Sequence, residues 1–157
     1  MRQRKVPRGG DAAGAVGTRP AVSAKALAVR WLARREYSRA ELLQRLRQRG
    51  IASEDVERAL DELATAGYLS DARCAQAVVA QRAGRYGKRA IVHALKERGI
   101  GASDAATALA PLSESDELAD AQALWQRRFG TAPADDREKA RHVRFLQSRG
   151  YSLSTAL

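Results

Sequence analysis

YSRAELLQRLRQRGI at residues 37–51, YGKRAIVHALKERGI at 86–100 and REKARHVRFLQSRGY at 137–151 are one pattern written three times. The closing glycines, Gly50, Gly99 and Gly150, fall 49 and 51 residues apart. Leu43, Val92 and Val143 share one column, and Leu46, Leu95 and Leu146 share another. Apolar residues at three- and four-residue spacing, ended by Gly, read as an amphipathic helix with a left-handed C-terminal cap. A period of about fifty residues is that of stacked supersecondary units.

Working outward, each unit reads as three helices. In residues 23–70, Ser23 precedes a helix burying Leu27 and Trp31, and Ser38 with Glu41 forms a capping box ahead of Leu42, Leu43 and Leu46. Ser53 opens a third helix through Val56, Leu60 and Leu63, which stops at Gly67. In residues 71–112, Asp71 is a good N-cap for a helix carrying Val78 and Val79, the middle helix uses Ile91, Val92 and Leu95, and a short third one runs from Ser103 to Pro111. Residues 113–157 start a helix near Ser115 with Leu118, Leu124, Trp125 and Phe129, continue from about Asp136 to Arg149, and leave a last helix of little more than a turn. The expected fold is all-α: tandem three-helix modules, elongated or curved. Units this small bury little surface alone, so packing between neighbours is expected to contribute to stability. Residues 1–22 mix Gly, Pro and Arg without periodicity and read as a disordered basic tail.

Composition agrees, with aromatics at only 5% and no β-branched runs. The formal charge of +10 is unevenly placed: residues 1–35 carry net +8, residues 36–71 net −3, residues 72–112 net +5, and the remainder balances. Such an excess predicts attraction to polyanions, nucleic acid above all, without sequence specificity. Cys74 is the only cysteine, which excludes an intramolecular disulfide and suits a reducing cytosol. No stretch approaches the ~18 apolar residues of a membrane span, and the start lacks the apolar core of a signal peptide. The chain is expected to be cytoplasmic and monomeric.

No constellation of catalytic residues emerges, and no cofactor or metal is expected. His93 and His142 sit in different units without matched carboxylates, and His142 shares a column with Leu42 and Ile91, which suits packing at a helix edge. Cys74 reads as a small buried hydrophobe. GRYGK at 84–88 lacks the spacing and the preceding strand of a phosphate-binding loop.

The informative cluster is basic. Arg89, His93 and Lys96 lie at i, i+4 and i+7 on the middle helix of the second unit, and Arg82, Arg85 and Lys88 extend the stripe at the adjacent turn. The equivalents of the first three are Ala40, Gln44 and Arg47 in the first unit and Ala140, Arg144 and Gln147 in the third, so the stripe is concentrated in the middle. Arg49, Arg98 and Arg149 recur before each closing Gly, where a cation complements the helix C-terminus, and read as structural.

With LAVRWLARREYSRAELLQRLRQRGI, the junction AGYLSDARCAQAVVAQRA at 66–83, YGKRAIVHALKERGI and the closing FLQSRGYS in this order, the chain resembles the RecX family over residues 24–151. The Gly67-Tyr68-Leu69-x-Asp71 junction, followed by Arg73 and Ala75, is the most specific part, while Cys74 stands where the family usually has an aromatic. The resemblance implies tandem three-helix repeats, a cytoplasmic location, and binding to RecA filaments on DNA with loss of ATP hydrolysis, strand exchange and co-protease activity. DNA contact, single- or double-stranded, is expected to be weak and non-specific. The competing reading is a tandem helix-turn-helix DNA-binding protein, but the third helices are acidic or Ala-rich and make poor major-groove readers.

Overall fold

Ser38 and Glu41 close a capping box in both directions. The Ser38 Oγ accepts from the Glu41 N–H at 3.1 Å, and the Glu41 carboxylate accepts from the Ser38 N–H at 2.8 Å. A computed structural model describes residues 22–157, so the tail expected at residues 1–22 lies outside the described residues except for Val22. From there the chain runs as α1 (Ala24–Leu32), α2 (Arg39–Gln48), α3 (Ser53–Thr65), α4 (Asp71–Arg82), α5 (Lys88–Glu97), α6 (Ala102–Leu109), α7 (Glu114–Arg128), α8 (Asp136–Ser148) and α9 (Leu153–Ala156). Among the described residues there is no strand. The fold is all-α, three tandem three-helix modules.

The helix starts differ from expectation in chemically clear ways. Ser70, not Asp71, caps α4, its hydroxyl accepting from the Arg73 N–H, and Asp71 falls in the first turn, where the helix dipole favours a carboxylate. Ser53 opens α3 as expected, behind Ala52, which makes no side-chain cap bond. α6 begins behind Gly101 instead of at Ser103, and α7 begins behind Ser113 rather than Ser115, with Asp116 completing a second capping box. α9 is a single turn, as expected.

Each module closes its own core. Leu42, Leu46, Val56, Leu60 and Leu63 are buried together in the first; Cys74, Val78, Ile91, Leu95 and Leu109 in the second; Ala121, Leu146 and Tyr151, with half-buried Trp125 and Phe145, in the third. All extensive helix-to-helix packing lies within a module. Contact between neighbours is narrower: Tyr86, Ile91 and Leu112 of the second module line a small pocket with Tyr151 of the third, while the third helix of each of the first two modules covers the apolar faces of its own pair.

The joints are narrow and follow one rule, in which the N-terminus of a middle helix meets the C-terminus of the next middle helix. At the first joint the buried Ser38 hydroxyl donates to the Arg98 carbonyl at 2.5 Å, and a side-chain carbon on Gly99 would come within 2.5 Å of the Ala40 methyl. At the second, the Gly87 N–H donates to the Arg149 carbonyl at 2.8 Å, and a side-chain carbon on Gly150 would overlap Ala90. Ser38 and Gly87 share a repeat column, as do Arg98 and Arg149. The closing glycines thus have two duties: their φ values of 71° at Gly99 and 91° at Gly150 end the helix, and their missing side chains admit a neighbour.

Candidate interaction surface

On α5 the inward face is Ile91, Ala94 and Leu95, all buried, which turns Lys88, Arg89, His93 and Lys96 to solvent. Arg85 is exposed in the turn before α5, and Arg82 is half-buried near the end of α4 with its guanidinium 5.2 Å from the Tyr86 ring centre. All six residues expected in the stripe reach the surface. Among the described residues, Arg82, Arg85, Lys88, Arg89 and Lys96 have no carboxylate within ion-pair distance. His93 differs: its Nε2 lies 3.0 Å from the Glu97 carboxylate one turn on, so its polar edge is already engaged on its own helix. The Glu117 carboxylate accepts from the Lys88 backbone N–H at 3.2 Å.

In the first module the cation equivalent to Lys88 is tied. Arg39, which shares a column with Lys88, donates to Glu57 at 2.8 Å and to Asp61 at 2.7 Å. Desolvation works to lower its pKa, but the bonds and charges of Glu57 and Asp61 outweigh it and leave it raised. Lys25 pairs with Glu62, Arg58 with Asp55, and Arg35 with Glu41. The contrast belongs to the column of Arg39 and Lys88; among the described residues Arg47, the counterpart of Lys96, is exposed without an ion pair, as Lys96 is.

Stacking of Arg on aromatic rings was not foreseen. Arg149, read as a cation for the helix C-terminus, lies 5.8 Å from the Tyr86 ring of the preceding module and 5.4 Å from Phe145. Arg128 lies 5.2 Å from Phe129. In the first module Arg45 sits 4.9 Å from Trp31, and Arg49 5.8 Å. Such pairs place guanidinium groups within reach of the ring faces. The column of Tyr37 and Tyr86 does not share one partner: Tyr86 meets the Arg of the next Arg-Gly ending, whereas Tyr37 meets Arg35 and Arg45.

His142 is a correction: it lies in the core of the third module, not at a helix edge. The Trp125 Nε1–H donates to its Nδ1 at 3.2 Å, and the Phe129 ring stacks on it at 3.7 Å. Acceptance at Nδ1 requires the neutral imidazole to carry its proton on Nε2. Cys74 is buried, and desolvation, reinforced by Glu41, pushes its thiol pKa up, which suits an inert apolar side chain. Among the described residues, no cluster of three His, Cys or carboxylate side chains could hold a metal, and no helix is long and apolar enough to cross a membrane.

Comparison with known proteins matches these modules one by one. Residues 24–63 match the first three-helix domain of RecX, residues 70–109 the second and residues 114–156 the third. The chain belongs to the RecX family. It is 45% identical over 134 residues to the regulatory protein RecX of Leptothrix cholodnii, covering 85% of both chains. With that of Ralstonia pickettii it shares 40% identity over 136 residues, 87% of this chain and 85% of the relative. Among solved structures, RecX from Lactobacillus salivarius superposes with a TM-score of 0.74 at 17% identity, covering 85% of this chain and 89% of the other. A second RecX crystal structure gives 0.71 at 23% identity, over 84% and 70%. These two extend the likeness to the fold. Relatives that carry the RecX name are regulatory proteins by description, consistent with a regulator of RecA.

Proposed function

We propose that the protein is a non-enzymatic negative regulator of RecA, which binds RecA filaments on DNA and slows ATP hydrolysis, strand exchange and co-protease activity. The observation that carries this beyond the family is the contrast between the tied cation Arg39 and its unpaired counterpart Lys88. A cluster of unpaired cations on and beside one helix of the second module suits an acidic protein surface or DNA phosphates. Modules with separate cores suit contact with several protomers at once, because each keeps its shape while the narrow joints set the spacing. Bridged protomers would resist the filament motions that accompany ATP turnover. Direct reading of base sequence is the weaker alternative: α3 carries Glu54, Asp55, Glu57, Asp61 and Glu62, and α6 has no cation.

The test is a charge reversal, Lys88→Glu with Arg89→Glu and Lys96→Glu, in the full chain. Inhibition of RecA strand exchange is expected to weaken by at least tenfold with the melting temperature held within a few degrees. Inhibition equal to wild type would remove the stripe from the contact.

A further inference from the structure

The three Arg-Gly endings build three equivalent sockets, and among the described residues two of them are filled. Each filled socket receives the first turn of a helix. Its carbonyl accepts one hydrogen bond, at Arg98 from Ser38 and at Arg149 from Gly87, and its glycine lies against a small side chain, Ala40 or Ala90. The third socket, Arg49 with Gly50 at the end of α2, has the same glycine geometry, with φ 78°. Among the described residues, the Arg49 carbonyl receives no donor, and nothing lies within 4 Å of the position a Gly50 side chain would take. The socket opens into a surface groove of mixed character, with Leu27, Ile51 and Ala59 in its lining and the Lys25–Glu62 and Arg58–Asp55 ion pairs beside them.

We propose that this open socket is a docking site for the N-terminal turn of a helix on the partner filament, one with a hydrogen-bond donor at its first position and a small residue within its first turn. The inference rests on the reading of the protein as a RecA-filament regulator. The occupant is argued from continuity: the same carbonyl and glycine take helix N-termini at both internal joints, where the partial positive end of one helix meets the partial negative end of another. A second copy fits poorly. α8 is the one middle helix whose N-terminus meets no other middle helix; relative to the repeat columns it starts three residues earlier than α2 and α5, and its first turn is Asp136, Arg137 and Glu138 behind Asp135, with no small residue to face the glycine. The Gly50 end is open, whereas the α8 end is closed to this mode of contact.

The test measures binding of the full-length chain to RecA filaments on single-stranded DNA, held with a slowly hydrolysed ATP analogue. Two variants are compared with wild type: Gly50→Asn, since Asn tolerates positive φ, and Ala52→Trp, which fills the groove from an exposed site with ordinary backbone geometry. Both are expected to bind at least tenfold more weakly, with helical content and cooperative melting retained. Wild-type binding with both variants within twofold of it overturns the socket and leaves the function standing. No binding by the wild type removes both. A loss of binding matched by a concentration-dependent drop from dimer to monomer assigns the socket to a second copy and overturns the inference.

Discussion

The two joints of the molecule place equivalent helices end to end by different chemistry. At the first, the contact is made by side chains: Ser38 donates to the Arg98 carbonyl, the Asp71 carboxylate accepts from the Arg39 N–H at 2.8 Å, and Arg73 meets Glu36 at 3.1 Å. At the second, the Glu117 carboxylate likewise accepts from the Lys88 N–H at 3.2 Å, but the bond to the Arg-Gly ending comes from the backbone. Gly87 donates its own N–H to Arg149, and a side chain at Gly87 would overlap the Gly150 carbonyl. Both joints carry a carboxylate on a helix N-terminus, but the first closes on a side-chain hydroxyl, whereas the second also needs the absence of a side chain at Gly87. A repeat conserves the geometry of a contact more faithfully than the groups that make it.

Gly87→Ala offers the strongest way to break that symmetry. The φ of Gly87 is −73°, which any residue adopts, so no backbone strain is added, yet the new methyl would collide with main chain at Gly150 and Tyr151. A loss of about 3 kcal/mol is expected from such overpacking, read by chemical denaturation, with protection of the third module's amides reduced most. Ser38→Ala should cost less, about 1–2 kcal/mol, because it removes a helix cap and leaves the Arg98 carbonyl buried without its donor. Arg73→Ala removes a half-exposed ion pair and should cost less than about 1 kcal/mol, with the difference vanishing in high salt. Equal losses for Gly87→Ala and Ser38→Ala would show that the two joints are not built on different principles.

Tyr151 sharpens the comparison at high pH. Its hydroxyl is buried without a hydrogen-bond partner among the described residues, and burial, with Asp120 and Glu117 adding to it, raises its pKa from 10.0 to about 12. The folded state thus favours the neutral phenol. The stabilisation is complete below pH 10, where folded and unfolded forms are both neutral, and is lost between pH 10 and about 12 as only the unfolded form ionises. Tyr151→Phe should leave stability near pH 7 unchanged or slightly raised and flatten the alkaline fall, followed by thermal melts from pH 8 to 12.

Much of this was legible in the chain because helices of this kind are written locally. The columns of Leu46, Leu95 and Leu146, the Gly endings and the Ser38 box depend on residues within a few positions of one another. What escaped depends on long-range placement. Asp71 looks like a cap until Ser70 takes that role and leaves its carboxylate to meet Arg39 across the joint. His142 looks like an edge residue because nothing local places the Phe129 and Trp125 rings around it. The basic stripe was visible as spacing on one helix. That Lys88 lacks the carboxylates given to Arg39 required the fold, since Glu57 and Asp61 reach Arg39 from a different helix.

The most direct test of the account is RecA ATP hydrolysis on single-stranded DNA, with the protein titrated in below one molecule per RecA protomer. A regulator that bridges protomers predicts strong inhibition well below that ratio, relieved by the Lys88, Arg89 and Lys96 reversal. Unchanged hydrolysis at equimolar protein, with binding to bare DNA intact, would contradict it.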